Sequence, residues 1–140
     1  FPKRNPSRKI PTRHLVMASI IKDKDVLIVK RSEDGMLGGL WEFPNVKSDR
    51  ASAGAAACGE MVQRLLHLDV AVKEKMTQFR HAYSHFKIAV DVFRCHYKTG
   101  RVTLNGPVDF VWADLKMLEK YPLHQANHKI MAQVRKVLKP

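Results

Sequence analysis

Three consecutive residues, Tyr83, Ser84 and His85, combine side chains that suit recognition of a nucleic acid. A serine hydroxyl both donates and accepts hydrogen bonds, and an aromatic ring can pack against a base or sugar. We expect the His85 imidazole to orient the loop or to meet a phosphate. The alternative is a connecting loop whose polar side chains satisfy only nearby backbone groups. A Ser-His-acid catalytic triad is disfavoured, because adjacent side chains on an extended segment point apart.

The charge of the chain favours anionic partners. The formal net charge is +12 over 140 residues, and a pI of about 10.0 is typical of a nucleic-acid-binding domain. The first segment is crowded with Lys3, Arg4, Arg8, Lys9 and Arg13. We take Arg31, Arg80 and Lys87 as candidate contacts to a DNA backbone. The alternatives are a solubilising surface and a membrane-surface patch.

The composition is that of an ordinary globular domain. The chain is 45% apolar and long enough for one real core, and no apolar run approaches the length of a membrane span. Cys58 and Cys95 are far apart in the sequence and belong to no Cys-x-x-Cys pair. We therefore expect a reduced, intracellular setting, either a bacterial cytoplasm or a eukaryotic nucleus or mitochondrion.

A metal site built from the histidines is disfavoured. Cys95 and His96 are adjacent on a predicted strand and so point to opposite faces. His124 and His128 could share a helix face, but no acidic neighbour of the Glu-x-x-His type accompanies them. We expect these two histidines to have a structural or DNA-facing role.

Two strands must hold the loop that contains Ser84. Strands are predicted over 70–79 and 86–97 around a loop at 81–85, because Ile88, Val90 and Val92 share one face at a period of two. A hairpin is predicted from strands at 15–21 and 26–29, and a further strand at 108–112. Residues 1–12 contain three prolines and are predicted to form an extended basic linker.

Two helices are predicted to cover the sheet. The first takes Ser52 as its N-cap and has apolar positions at Ala55, Cys58, Val62, Leu65 and Leu66. The second is C-terminal, with Ile130, Val134, Val137 and Leu138 on one face, and with Lys136 and Lys139 near the negative end of the helix dipole. A turn is predicted at Asp34 and Gly35.

The segment 37–44, which reads LGGLWEFP, resembles the Trp-x-x-Pro segment that precedes the metal-binding box of Nudix hydrolases. In that family the box is a Gly, a Glu six residues later, and then Arg-Glu-apolar-x-Glu-Glu-x-Gly-apolar. Counting from the proline places these residues on the box positions: Val46, Ser52, Glu60, Met61, Val62, Arg64, Leu65, His67 and Leu68. Only the two apolar positions match, and shifting the register by one places Gln63 and Arg64 on the Glu-Glu pair. Because Mg²⁺ needs carboxylate oxygens, we expect no metal site.

Within the Nudix-like proteins, the chain resembles the C-terminal domain of the adenine DNA glycosylase MutY. Its segment 37–44 is close to the family's Leu-Ala-Gly-Leu-Trp-Glu-Phe-Pro, and residues 81–86, HAYSHF, are similar to the family's His-x-Phe-Ser-His loop. The resemblance implies a Nudix-like α/β/α sandwich with a mixed sheet over residues 13–140. It also implies that Tyr83, Ser84 and His85 read 8-oxoguanine opposite adenine in duplex DNA. Base excision would belong to a separate catalytic domain of the same polypeptide, which carries acidic residues and an iron–sulfur cluster.

A hydroxyl suits the edge that distinguishes the oxidised base. Oxidation of guanine adds an acceptor at C8 and converts N7 from an acceptor to a donor. Ser84 can accept from the N7 hydrogen or donate to the new oxygen, and such a contact contributes about 1–3 kcal/mol of discrimination.

Two other functions stay open. The first is a Nudix nucleoside-diphosphate hydrolase that uses unusual metal ligands. The second is a protein-interaction module on a non-catalytic Nudix scaffold, in which the basic surface would be incidental to function.

Overall fold

A computed structural model describes residues 10–34, 38–48 and 54–138. The strands are β1 (Thr12–Lys22), β2 (Asp25–Lys30), β3 (Trp41–Glu42), β4 (Asn45–Ser48), β5 (Asp69–Ala82), β6 (Lys87–Thr99) and β7 (Asp109–Ala113). The helices are α1 (Ala55–Leu66), α2 (Leu115–Leu118), a 3₁₀ helix (Gln125–Ile130) and α3 (Met131–Leu138). Gly35, Ser52 and Lys139 lie outside the described residues, as do residues 1–9 of the predicted linker. Thr12, which we assigned to the linker, is the first residue of β1.

The strands form one mixed sheet that forks between β1 and β2. These two strands are paired only next to their turn, where Ile21 lies opposite Val26. Beyond that pair they separate, and the next strands along the chain occupy the gap, β3 pairing with β2 and β4 pairing with β1. On the outer sides, β7 runs antiparallel to β2 and β6 runs parallel to β1. At the fork, β1 with β4 and β2 with β3 therefore form two separate branches of the sheet.

Each face of the sheet is covered by a hydrophobic layer, so the expected α/β/α sandwich with a mixed sheet is confirmed. Alternation along β6 places Ile88, Val90 and Val92 against the 3₁₀ helix and α3. Alternation along β1 sends Val16 and Ala18 to the opposite face, against α1. The predicted hairpin of β1 and β2 and the predicted strand pair β5–β6 are both present.

Helix α1 differs in detail from its prediction. Its N-cap is Gly54, which has no capping side chain, and Ala55 is exposed rather than buried. The face that packs on the sheet is formed by Cys58, Met61, Val62 and Leu66. The buried face of α1 is rotated about the helix axis relative to the predicted face, so that Met61 points toward the sheet and Ala55 points away from it.

His67 ends α1 in the left-handed conformation, with φ of 58°, which costs an L-residue about 1–2 kcal/mol. Because His67 is exposed, we expect His67→Gly to stabilise the fold by up to about 1 kcal/mol once the greater chain entropy of glycine is subtracted. Arg64→Gly, in the exposed helical interior, should instead destabilise it by about 1 kcal/mol. Urea unfolding of both variants makes the comparison. Equal losses in the two variants would contradict the assignment of strain to His67.

The C-terminal helix is confirmed with one change. The segment begins as a 3₁₀ helix at Gln125 and becomes α-helical at Met131. Ile130, Val134 and Leu138 are buried, as predicted, and Val137 is half-buried. This change of helix type brings His124, the N-cap residue of the 3₁₀ helix, under the sheet at the fork.

Candidate functional site

The residues at 83–86 form a tight hairpin between β5 and β6. The Tyr83 N–H donates to the Phe86 carbonyl at 2.8 Å, so Ser84 and His85 are the two residues of the tip, and both are exposed. The loop is shorter than the 81–85 predicted, because His81 and Ala82 still pair with β6. The strand pairing therefore presents Ser84 and His85 to solvent on a rigid support.

Tyr83 anchors this hairpin to the body of the protein. Its half-buried ring packs between His81, with ring centroids 4.7 Å apart, and Phe86, at 4.9 Å. Its hydroxyl lies 3.4 Å from Nδ1 of His124. Burial, followed by the nearby Glu42 carboxylate, raises the pKa of Tyr83. The three predicted recognition residues thus divide into one partly buried anchor and two exposed side chains.

A cavity of about 270 Å³ lies in the fork beside this hairpin. Its lining includes apolar residues of β1, aromatic residues of the hairpin, polar residues of β3 and β4, and Arg31, which directly follows β2. The lining combines three cations, a carboxylate, an aromatic ring and an imidazole, from Arg13, Arg31, Lys47, Glu42, Phe86 and His124. Tyr83 and Phe86, the residues on either side of the exposed tip Ser84-His85, both line the cavity.

A buried polar network forms one wall of the cavity. The Glu42 side chain is 8% exposed and accepts from Nη1 of Arg31 on both oxygens, at 3.1 and 3.0 Å. Nε2 of His124 lies 3.0 Å from Oε1 of the same carboxylate. When Nε2 carries the proton, Nδ1 is the acceptor for the Tyr83 hydroxyl. The network therefore connects β2, β3 and the 3₁₀ helix to the hairpin.

Asn127 completes the network from below. It is fully buried, and its Oδ1 accepts the Phe43 N–H at 2.7 Å. Its Nδ2 lies 3.3 Å from Nδ1 of His124, the ring nitrogen that can accept when Nε2 carries the proton. Neither Glu42 nor Asn127 is predicted from the sequence as a site residue, and His124, for which we expect a structural or DNA-facing role, has a structural one. The available signal was a charged residue between Trp41 and Phe43, which are both buried.

The three residues predicted to contact a DNA backbone, Arg31, Arg80 and Lys87, lie in different environments. Arg80 and Lys87 are exposed on β5 and β6, on the arms of the hairpin. Arg31 is instead held by the buried Glu42, with about a third of its side chain exposed. Its guanidinium is therefore part of the cavity wall rather than of the open surface.

The positions that would hold a Nudix metal do not fit one. Met61 is buried in the α1 layer, Leu65 packs against the same layer, and Arg64 is exposed. The left-handed His67 stands where the box has its glycine, which supports the register. Within the described ranges, no group of three His, Cys, Asp or Glu side chains could hold an ion. The described residues on the glutamate positions of the box, Met61, Arg64 and Leu65, thus provide no carboxylate oxygen for Mg²⁺.

The two cysteines are neighbours in space, although we treated them as distant. Their Sγ atoms lie 3.7 Å apart in the core between α1 and β6, and both thiols are free. The contact with Cys58, together with burial, raises the pKa of the Cys95 thiol. Both cysteines are fully buried and pack as small apolar residues. The sequence has two cysteines, so a four-thiolate iron–sulfur cluster does not fit this chain.

Across the described parts of the chain, no helix combines the length and the apolar character needed to span a membrane.

Comparisons with known proteins agree with this architecture. The NUDIX domain family model matches residues 16–133. A MutT protein from Methanosarcina mazei Go1 has a TM-score of 0.81 at 19% identity, over 96% of this chain and 100% of that chain. The C-terminal domain of mouse MUTYH, solved in complex with human PCNA, has a TM-score of 0.69 at 17% identity, over 89% and 88%. The NUDIX domain of Shewanella oneidensis NrtR, complexed with ADP ribose, has a TM-score of 0.74 at 15% identity, over 97% and 94%. At these identities the similarity establishes the fold and nothing finer.

Proposed function

The chain belongs to the NUDIX domain family, and from this premise we propose that it is the lesion-recognition domain of a MutY-type adenine DNA glycosylase. Its partners are then duplex DNA containing 8-oxoguanine opposite adenine, and the catalytic domain of the same polypeptide. Excision and the iron–sulfur cluster belong to that catalytic domain. This domain contributes binding and contains no catalytic residue.

The observation that carries the proposal is the exposed tip of the β5–β6 hairpin. Ser84 and His85 are the most accessible polar residues of the motif that resembles the family's recognition loop. The strand pairing and the Tyr83 anchor fix the tip in place, and a preorganised loop loses little entropy when it binds. The Ser84 hydroxyl can therefore meet the C8 and N7 edge of the oxidised base.

The state of the box supports a binding role over hydrolysis. Met61, Arg64 and Leu65 stand where a Nudix hydrolase has carboxylates, and an arginine at such a position repels a divalent cation. The formal net charge of +12 further favours a polyanionic partner. The fold similarity to the MUTYH C-terminal domain is compatible with the proposal.

A nucleotide hydrolase is the second candidate function, favoured by the cavity in the fork. The cavity volume of about 270 Å³ is near the lower end of the range for small-molecule sites. MutT proteins are among the structural neighbours of the chain. This function would need metal ligands other than the usual box carboxylates. The hydrolysis assay described in the Discussion separates the two candidates.

Ser84→Ala should narrow the preference for oxidised DNA. We expect the chain to bind a duplex with an 8-oxoguanine:adenine pair more tightly than one with guanine:adenine. In the variant, the ratio of these two affinities should fall about tenfold, which corresponds to the loss of one contact of about 1.4 kcal/mol. Because Ser84 is exposed, stability should change by no more than about 0.5 kcal/mol. Fluorescence anisotropy with the two duplexes measures the ratio.

Thr99→Val is the matched control for Ser84→Ala, since it removes an exposed hydroxyl from the opposite end of the same strand pair. It should leave the ratio unchanged. If Ser84→Ala and the double variant Tyr83→Ala/Ser84→Ala both keep the full preference, the hairpin does not read the lesion.

Binding to undamaged duplex should be weak and sensitive to salt. We expect a Kd of roughly 10⁻⁴ to 10⁻⁶ M at physiological salt. Arg80→Gln and Lys87→Gln should each lower the slope of log affinity against log salt by about 1, because each removes one phosphate contact. Titrations at several salt concentrations give the slopes, with Lys98→Gln, at the far end of β6, as the control. Absence of binding at low salt would favour the protein-interaction module.

A further inference from the structure

Arg13 lies beside the recognition hairpin and is held in a defined orientation. In the parallel pairing of β1 with β6, Arg13 is opposite Ile88. The centre of its guanidinium lies 4.4 Å from the centroid of the Phe86 ring, and the residue as a whole is exposed. Stacking on an aromatic face restricts the guanidinium while its N–H groups stay available at the edge. The Arg13 guanidinium is therefore held on Phe86, the residue that directly follows the exposed tip.

Lys47 provides a second cation on the same side of the cavity. It pairs with Leu15 across β1 and β4, so its side chain and that of Arg13 project from the same face of the sheet at diagonal positions. Both residues line the cavity. Neither forms an ion pair with a carboxylate of the described residues, and Glu42 is already bound by Arg31 and His124. The lining of the cavity thus includes two cations that have no ion-pair partner among the described residues, which favours an anionic ligand.

We infer that Arg13 and Lys47 form a phosphate-binding site for the DNA strand that carries the base contacted by Ser84. The inference rests on the proposed function, because it assigns the ligand at the edge of the same site. Both cations line the cavity and are exposed, and Arg13 stacks on Phe86, the residue next to the tip, so a ligand that contacts both cations and Ser84 must extend from the cavity to the hairpin tip. A phosphodiester strand has that extent, whereas a free mononucleotide does not. The site gives affinity and position, and the hairpin gives base discrimination.

The test uses the whole chain and compares Arg13→Gln with Lys22→Gln. Lys22 is a matched control, because it lies at the other end of β1 and also stacks on aromatic rings, with Nζ 4.6 Å from the centroid of the Tyr97 ring. We expect Arg13→Gln to weaken binding of both duplexes by about five- to tenfold and to lower the salt slope by about 1, since a phosphate contact acts equally on all sequences. Lys22→Gln should change neither quantity. Lys47→Gln should act like Arg13→Gln.

Two further variants separate charge from packing. Arg13→Met keeps an apolar contact with Phe86 and should weaken binding as much as Arg13→Gln does. Arg13→Lys keeps the charge and should retain most of the salt slope. Thermal melting of each variant establishes that the fold is intact.

The possible failures can be told apart. If the unaltered chain prefers the oxidised duplex but Arg13→Gln and Lys47→Gln behave like Lys22→Gln, the phosphate site is wrong and the proposed function stands. If the unaltered chain binds the oxidised and the undamaged duplex equally tightly, the proposed function is wrong, whatever the Arg13 and Lys47 variants show. If Arg13→Gln removes the preference without weakening binding to the undamaged duplex, Arg13 contacts the base and not a phosphate. If 8-oxo-dGMP alone binds in an Arg13-dependent manner while duplex binding is unaffected, the ligand is a free nucleotide and the inference is overturned.

Discussion

Incubation of the chain with 8-oxo-dGTP and Mg²⁺ should release no nucleoside monophosphate at an enzymatic rate. The expected reduction in hydrolysis rate, compared with an active Nudix hydrolase, is the largest effect predicted for this protein. The reduction is large because the whole catalytic contribution of the metal is lost. The side chains of Met61, Arg64 and Leu65 contain no carboxylate oxygen. Met61 is buried, Arg64 is exposed and Leu65 is packed against the α1 layer. Product formation is followed by chromatography, with Mn²⁺ tested beside Mg²⁺.

A variant that restores carboxylates gives the assay a control. Arg64→Glu/Leu65→Glu returns acidic side chains to two ligand positions without altering the buried Met61. Addition of Mg²⁺ should raise the melting temperature of this variant and leave that of the unaltered chain unchanged, because only a protein that binds the ion is stabilised by it. Turnover by the unaltered chain at about 1 per second or faster would establish the hydrolase instead of the binding domain.

Glu42→Ala should cause the largest loss of stability among the substitutions considered. Removing one partner of a buried ion pair costs about 3–5 kcal/mol, and we expect the lower end because about a third of the Arg31 side chain is exposed and can be hydrated. The His124 Nε2–H also loses its acceptor. Denaturant unfolding measures the difference, and Glu42→Gln, which keeps a hydrogen-bond acceptor, should lose less.

Glu74→Ala is the matched control for this substitution. Glu74 also pairs with an arginine through two contacts, Arg94 Nε at 2.9 Å and Nη2 at 3.1 Å, but on the surface. An exposed pair is screened by water and contributes little, so this variant should unfold nearly as the unaltered chain does. Equal losses from Glu42→Ala and Glu74→Ala would mean that the network in the fork does not stabilise the fold.

The sequence by itself determined the five strands that became β1, β2, β5, β6 and β7, because strand periodicity depends on local spacing, whereas the short strands β3 and β4 were not predicted. The fold class followed from the family resemblance, and the box residues followed from counting positions. The alternation of Ile88, Val90 and Val92 follows from the two-residue period of a strand, and the box positions follow from counting along the sequence from Pro44. The same spacing identified Ser84 and His85 as exposed residues between two strands.

Only the tertiary structure decided what surrounds that hairpin. Glu42 and His124 are 82 residues apart, and Phe43 and Asn127 are 84 apart, so no local period relates them. Their contact depends on the fork between β1 and β2 and on the 3₁₀ turn that places His124 beneath it. The neighbouring thiols of Cys58 and Cys95 likewise depend on how α1 lies on the sheet. Periodicity tells which face of an element is buried, whereas the partner of a buried polar group is set by packing between elements distant in the chain.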